Sequence, residues 1–173
     1  MIVAEIGLNH IGNETYAKHY VEELIKTDVT AITFQIREPA FYERPEKAHL
    51  KIDLQFYKNI SKKIKTAGKK FGIALSDMSV FEELDPYVDF YKILSKDFNS
   101  NLSNKIIKST KKMVYLSTGN SSVEEIKKYI KSFPTQRKEN LSLIHTQLSY
   151  DIKDVNLKAI LSLRDKTNCN ISF

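Results

Sequence analysis

The stretch from Ile2 to Asn13, IVAEIGLNHIGN, places a short apolar run directly before a polar turn. The run Ile2–Gly7 is partly β-branched and bounded by polar residues, which is typical of a buried parallel strand. Beyond the turn, apolar residues recur with the 3.6-residue period of a helix, at Tyr16, Ala17, Tyr20, Val21, Leu24 and Ile25. The chain is therefore predicted to open with a strand and an amphipathic helix.

The same pair of elements recurs along the sequence. The strand-like runs are Ile2–Gly7, Ala31–Gln35, Phe71–Ser76, Phe90–Ser95, Met113–Thr118, Leu141–Thr146 and a seventh that begins at Asn170–Phe173. Their alternation with helices predicts an α/β fold with a parallel sheet, either an open doubly wound sheet or a (β/α) barrel. No glycine-rich turn follows the first strand, which argues against a dinucleotide-binding fold. Because eight βα units typically need about 250 residues, the pattern alone favours neither architecture.

Local signals predict where several helices begin and end. The predicted apolar helix faces are Phe56, Tyr57, Ile60 and Ile64; Ile126, Ile130 and Phe133; and Leu157, Ile160 and Leu161. Gly68 is expected to end the first of these helices. Ser122 and Glu125 form a capping box for the second, and Asp154 is expected to cap the third. The one long connection, residues 37–51, is interpreted as a functional loop.

Composition excludes several classes of protein. With 173 residues, 42% of them hydrophobic and 28% charged, the chain is predicted to be a soluble globular domain. It contains no run of about 20 apolar residues, as a membrane span requires, and Met1–His10 lacks the basic leader of a secretory signal. Cys169 is the only cysteine, so an internal disulfide is excluded and a cytoplasmic protein is expected.

The net charge of +6 is compatible with nucleic acid, a membrane surface or small anionic substrates as partners. The densest lysine cluster consists of Lys62, Lys63, Lys65, Lys69 and Lys70. It is interpreted as a solvated helix face. No arginine-rich arm or nucleic-acid-binding motif occurs, so neither nucleic acid nor membrane is expected as a partner.

Polar residues recur at the predicted carboxyl ends of six strands, where a barrel places its chemistry. They are Glu5, Asn9 and His10; Thr33 and Gln35; Ser76 and Asp77; Lys92, Ser95 and Asp97; Ser117, Thr118 and Asn120; and His145 and Gln147. A single serine or threonine there is more often a turn residue. Glu5 and Lys92, however, stand between apolar neighbours, where a buried charge is costly unless it is paired. The set is interpreted as a site for an anionic, hydroxylated ligand, with a structural Glu5–Lys92 ion pair as the alternative.

The segment Ala4–Asn13 resembles the first strand and loop of the sialic acid synthase family, whose relatives also make legionaminic and pseudaminic acids. Further stretches resemble the family in the same order: Ala31–Gln35, Tyr91–Ile93 with Ser95, Leu116–Gly119, and Leu143–His145 followed by Asp154–Leu157. The resemblance implies a (β/α)8 TIM barrel, followed in the family by a small antifreeze-like domain. Residues 1–173 are expected to form the front of that barrel, with about six βα units and the start of strand 7.

The resemblance also implies an activity, the condensation of phosphoenolpyruvate with an N-acetylated amino sugar and the release of phosphate. The implied catalytic residues are Glu5, Lys92 and Asp97. The implied substrate-binding residues are Asn9, His10, Gln35, Ser76, Ser95, Asn99, Ser117, Thr118, His145 and Tyr150. In this scheme the phosphate and carboxylate are held by Lys92, Ser76, Ser95 and Ser117, and the sugar hydroxyls by Glu5 and Gln35.

The sequence departs from the family pattern at two strands. Thr33 stands where the family usually has a lysine that contacts phosphate, and Leu94–Asp97 replaces the usual Gly-Ser-Gly-Glu. Lys96, within that second segment, is a candidate to supply the missing charge.

The family binds a divalent metal, Mn or Mg, through histidines that follow strand 7 and come from strand 8. The sequence reaches Phe173 just before the first of them, so the metal ligands, strand 8 and the antifreeze-like domain are expected to be absent from this chain. No residue is therefore assigned to a metal. Because family members are commonly dimers, a homodimer is expected.

Two other functions remain open. Lys92 could form a Schiff base, as in an aldolase, if an apolar surround lowers its pKa. Alternatively, the chain could be a non-catalytic relative that binds a sugar or a protein partner, as Thr33 and the missing histidines suggest.

Overall fold

A computed structural model describes all residues, 1–173, as alternating strands and helices. The strands are β1 (Val3–Gly7), β2 (Ala31–Ile36), β3 (Lys70–Leu75), β4 (Phe90–Ile93), β5 (Met113–Ser117), β6 (Leu141–Ile144) and β7 (Asn170–Ser172). Their hydrogen-bonded order in the sheet follows the sequence. All seven predicted strands are thus confirmed, although β3, β4, β5 and β6 end one or two residues early. Ser95, Thr118 and His145 consequently lie in the loops just after these strands.

The helices lie between the strands. They are α1 (Glu14–Leu24), α2 (Pro39–Tyr42), α3 (Pro45–Ala48), α4 (Leu54–Thr66), α5 (Phe81–Leu84), α6 (Asn101–Ser109), α7 (Val123–Lys131), α8 (Thr135–Lys138) and α9 (Lys158–Thr167). Short 3-10 turns occupy Met78–Val80, Asp85–Tyr87, Ser95–Asp97 and Ile152–Asp154. No helix combines the length and apolar character needed to cross a bilayer. The chain divides into two compact units, a first unit of Met1–Tyr91 and a second unit of Lys92–Phe173.

In the first unit, β1, β2 and β3 pair in parallel. Phe34 of β2 lies at the centre of the core, with its ring 5.9 Å from that of Phe56 and 5.7 Å from that of Tyr57, both on α4. The apolar face predicted for α4 is buried throughout. Beyond its end, Gly68 takes a left-handed φ of +74°, which confirms its predicted role in ending the helix.

The first helix buries less than its pattern predicts. Ala17 and Val21 are fully buried, whereas 51% of Tyr16 and 37% of Tyr20 are exposed. Their rings pack edge to face against each other, with centroids 5.4 Å apart. The predicted stripe is therefore only partly a core face.

In the second unit, β5, β6 and β7 pair in parallel. The capping box of Ser122 and Glu125 is confirmed at the start of α7, and the apolar face of that helix is buried. The prediction that Asp154 caps the last long helix is wrong. Asp154 ends a 3-10 turn, and α9 begins at Lys158, because Asp151 caps that turn first by accepting a hydrogen bond from the Lys153 backbone N–H.

The long connection after β2 is compactly folded. It contains α2 and α3, each beginning with proline at its first turn, where proline is favoured. The Phe41 ring is buried between two guanidinium groups, with the Cζ atoms of Arg37 and Arg44 lying 4.1 Å and 4.7 Å from its centroid. Arg37 also pairs with Glu38 through two hydrogen bonds of 3.0 Å. These contacts hold the connection in one shape.

The lysine cluster lies largely on the surface, as predicted, and several of its members have partners. Lys63 pairs with Glu22, and Lys65 lies 2.9 Å from Asp89. Lys69 donates to the backbone carbonyl of Val29 at 2.6 Å. These contacts give the cluster a structural role within the first unit.

Candidate functional site

In the first unit, a tight turn at residues 8–13 follows β1. The backbone N–H groups of Asn9, Ile11 and Asn13 each donate to the carbonyl three residues earlier, at 2.9–3.0 Å. Gly12 has a φ of +76°, which L side chains rarely adopt. Asn9 is exposed on this turn. The turn is thus rigid enough to hold an exposed amide at the end of the strand.

His10 lies inside this turn and is completely buried. Its Nδ1 accepts a hydrogen bond of 3.0 Å from the Gly12 N–H, which assigns the proton of the neutral ring to Nε2. That Nε2 is buried without a partner, so the ring fixes the turn on one side and carries an unsatisfied donor on the other. Burial lowers the pKa of His10 from 6.5 to about 4.

The depressed pKa of His10 predicts acid sensitivity. Since the folded chain binds this proton less readily than the unfolded chain, its stabilising effect is complete above about pH 6.5 and is lost as the pH falls towards 4. The shift corresponds to about 3 kcal/mol of unfolding free energy over that range. His10→Asn, which keeps an acceptor for Gly12 but does not titrate, should remove this loss in urea melts run from pH 4 to 7. A control, His19→Asn on the exposed face of α1, should retain it, and equal pH slopes in the wild type and His10→Asn would contradict the assignment.

Further polar groups of the first unit lie at the ends of β2 and β3. Gln35 is half-buried, and its Oε1 lies near Gly7, 3.9 Å from where a Cβ on that glycine would stand. Ser76 is buried and continues the ladder, because its N–H donates to the Ile36 carbonyl at 2.8 Å. Asp77 accepts from both the N–H and the hydroxyl of Ser79, so it caps the following 3-10 turn. The strand ends Gly7 and Gln35 are therefore brought together.

Thr33 and Glu5 of the first unit differ in their exposure to solvent. Thr33, the residue that replaces the family lysine, is buried with only 2% of its surface exposed. Glu5 is exposed on β1, so the premise that its charge is buried between apolar neighbours is wrong. In a strand, successive side chains point to opposite faces, and apolar neighbours in sequence therefore do not enclose the residue between them.

In the second unit, Lys92 is half-buried on β4. The 3-10 turn that follows β4 contains Ser95, Lys96 and Asp97. Asp97 is largely buried, with 14% of its side chain exposed, and its Oδ1 lies 3.3 Å from Lys96 Nζ. Asn99 is exposed in a left-handed conformation with φ of +54°. One segment thus presents an ammonium group, a hydroxyl and a carboxylate.

The end of β5 contributes two buried hydroxyl residues, Ser117 and Thr118. Thr118 is attached to the neighbouring strand, because its N–H and its hydroxyl both donate to the Ile144 carbonyl, at 3.1 Å and 2.9 Å. The next residue, Gly119, lies against the side chain of Ser95. The segments that follow β4 and β5 are therefore in direct contact.

His145 and Tyr150 follow β6 and differ in exposure. The His145 backbone N–H donates to the Ser172 carbonyl at 2.9 Å, and its ring stacks on Phe173 with centroids 6.0 Å apart. Its Nε2 is buried without a hydrogen-bond partner. Tyr150 is fully exposed. The two residues are not held together as parts of one cluster.

The side chains do not form a metal centre. No group of three or more His, Cys, Asp or Glu side chains that could hold a metal ion occurs in the chain. His10 is enclosed, and its Nδ1 is already used by Gly12, so it is not available as a ligand. The residues present therefore do not fit a divalent metal site.

Similarity to known proteins covers nearly the whole chain. A model of the NeuB family matches residues 5–173. An uncharacterized protein of Methanocaldococcus jannaschii is 31% identical over 185 residues, which cover 99% of this chain and 54% of that protein. A pseudaminic acid synthase of Campylobacter jejuni is 25% identical over 199 residues, covering 99% of this chain and 57% of the synthase. The chain spans little more than half the length of these relatives.

The fold is also found in a solved structure. The N-acetylneuraminic acid (sialic acid) synthetase of Leptospira borgpetersenii, in complex with citrate, superposes with a TM-score of 0.86 and 26% identity. The superposition covers 99% of this chain and 63% of that one. This confirms the prediction of an α/β fold of the (β/α) TIM-barrel type, of which this chain forms seven strands.

Proposed function

Because this chain belongs to the NeuB family, we propose that it takes part in a nonulosonic acid synthase reaction, in which phosphoenolpyruvate condenses with an N-acetylated amino sugar. The observation that carries the proposal is the stretch from Lys92 on β4 to Ser95 and Asp97 in the turn after it, where Ser95 contacts Gly119, which follows β5. An ammonium group beside hydroxyls suits an anionic ligand, since charge-assisted hydrogen bonds are the strong ones.

The proposed reaction joins C3 of phosphoenolpyruvate to the aldehyde carbon of the open-chain sugar. The carbonyl oxygen of the aldehyde takes a proton and becomes a hydroxyl. Water adds to C2 of the former enol, the bond between C2 and the phosphate oxygen breaks, and inorganic phosphate leaves. The product is a 2-keto acid extended by three carbons, and no Schiff base forms along this route.

In the second unit, Lys92, Ser95 and Ser117 are proposed to hold the phosphate and carboxylate, and Asp97 to act beside them. Positive charge and donors placed where the leaving phosphate develops its charge would lower the barrier. In the first unit, Glu5 and Gln35 are proposed to bind sugar hydroxyls.

Further residues are proposed to take part within each unit. They are Asn9, His10, Ser76, Asn99, Thr118, His145 and Tyr150. Among these, the enclosed His10 acts by holding the turn that carries Asn9, whereas Tyr150 is fully exposed.

The alternative is a non-catalytic relative, favoured by the buried Thr33 in place of a lysine. One experiment separates the two. The chain is incubated with phosphoenolpyruvate and N-acetylmannosamine, released phosphate is measured, and the product is weighed by mass spectrometry. Phosphate release together with a nonulosonic acid supports the synthase. If the chain releases no phosphate and titration with phosphoenolpyruvate produces no heat, the chain is a non-catalytic binder of another ligand.

A further inference from the structure

Three loops of the second unit meet at Gly119. A Cβ atom on this glycine would lie 2.9 Å from Ser95 Oγ, 3.3 Å from Ser95 Cβ and 3.3 Å from Leu148 Cγ. Ser95 belongs to the turn after β4, Gly119 follows β5, and Leu148 lies in the segment after β6. The Ser95 hydroxyl therefore occupies the space that any other residue at position 119 would fill.

Gly119 is required here for its lack of a side chain and not for its backbone conformation. Its φ lies outside the left-handed region that favours glycine. The next residue, Asn120, takes up the left-handed conformation instead, with φ of +68°. An alanine at position 119 would therefore be free of that backbone strain, and its nearest contacts would be with Ser95 and Leu148.

The backbone at Gly119 cannot easily move to relieve that conflict. Thr118, immediately before it, is held by two hydrogen bonds to the Ile144 carbonyl. Ser121, two residues after it, donates to the Thr118 carbonyl at 3.2 Å and closes the turn. The Ser95 hydroxyl, in contrast, can leave by rotation about a single χ1 bond. The serine side chain is therefore the part that would yield.

We propose that Gly119 is a positioning residue that holds the Ser95 hydroxyl in the orientation used to bind the phosphate group of phosphoenolpyruvate. The contact with Ser95 stands on the structure alone, whereas the role of that hydroxyl rests on the function proposed above. Gly119→Ala should turn the hydroxyl away while leaving the fold intact, and it should therefore imitate Ser95→Ala.

The test is a double-mutant cycle in the intact chain, read by titration calorimetry with phosphoenolpyruvate. Gly119→Ala and Ser95→Ala are each expected to weaken binding roughly 10- to 100-fold, the effect of losing one hydrogen bond to a charged group. Because both substitutions remove the same contact, the double variant should bind no more weakly than either single variant. The thermal midpoint of Gly119→Ala should stay close to that of the wild type, and Leu148→Ala, which leaves the contact between Gly119 and Ser95 in place, should bind like the wild type.

Other results would overturn the inference. If the losses of the two single variants multiply in the double variant, Gly119 acts independently of Ser95. If Gly119→Ala binds normally, the glycine positions nothing that the ligand uses. A crystal structure of Gly119→Ala with Ser95 in its original rotamer would refute the inference even without ligand. Wild-type protein that binds neither phosphoenolpyruvate nor inorganic phosphate would instead remove the proposed function and, with it, the role of the hydroxyl, while a rotated Ser95 in that crystal structure would still establish the contact.

Discussion

Lys92→Met is expected to weaken the binding of phosphoenolpyruvate by roughly 100-fold, the upper end of the range for a hydrogen bond to a charged group. Lys92 is half-buried on β4 and lies three residues before Ser95. At this depth its charge is screened by solvent less than that of a surface lysine. Methionine preserves the unbranched apolar stem and removes only the ammonium group. Titration calorimetry of both proteins with phosphoenolpyruvate measures the change.

The matched control is Lys62→Met, which removes the charge of an exposed lysine on α4. It alters the net charge by the same amount and should leave affinity unchanged. If the two variants bind equally well, Lys92 is not a phosphate contact. The wild type also tests the aldolase alternative. Treatment with borohydride and pyruvate should leave its Lys92 unmodified. A pyruvate adduct at Lys92 would favour the Schiff-base mechanism.

The parts of the fold that could be predicted from sequence are those set by local pattern. Most residues of β2, β3 and β6 are buried on both faces, so the largely apolar composition of these strands alone reveals them. The apolar face of α4 and the capping box at Ser122 depend on residues three or four positions apart. Such spacings are read directly from the sequence.

The predictions that failed depend either on tertiary neighbours or on a competing local contact. Whether Tyr16 and Tyr20 are buried is decided by what packs beside α1, and the pattern of the helix carries no information about that. Glu5 has apolar neighbours in the chain but is exposed on β1. Asp154 has the residue type of a helix cap, yet Asp151 caps first and moves the start of α9 to Lys158. In each case a tertiary or competing local contact decides the outcome.

In the candidate site, too, some residues can be predicted from local sequence and others cannot. Its charged and hydroxyl residues can be predicted because they lie at or after the ends of strands, whereas Gly119 enters only as the last residue of the stretch Leu116–Gly119. Its importance comes from its contact with Ser95, 24 positions earlier in the chain. A residue that acts by lacking a side chain gives no chemical signal in a single sequence. The close approach of Gly119 to Ser95 is visible only in three dimensions.

Gly12→Ala is expected to cost roughly 3 kcal/mol of unfolding free energy. A Cβ at this position would lie 1.6 Å from the carbonyl oxygen of His49 and 2.8 Å from its carbonyl carbon. The substitution therefore adds a collision with backbone to the cost of a left-handed conformation, about 1–2 kcal/mol for an L residue and a further 1–3 kcal/mol for overpacking. Urea denaturation of the wild type and the variant measures the difference.

Gly68→Ala is the matched control, because Gly68 has nearly the same φ, +74° against +76°, and open space where the Cβ would stand. It should cost only the backbone term, about 1–2 kcal/mol. The difference in unfolding free energy between the two variants isolates the collision with His49. The close contact between Gly12 and His49 joins the turn after β1 to the connection after β2 within the first unit. Equal stability losses in the two variants would mean that the turn can move away from His49, and the turn carrying Asn9 would then be too mobile to present a fixed amide to a ligand.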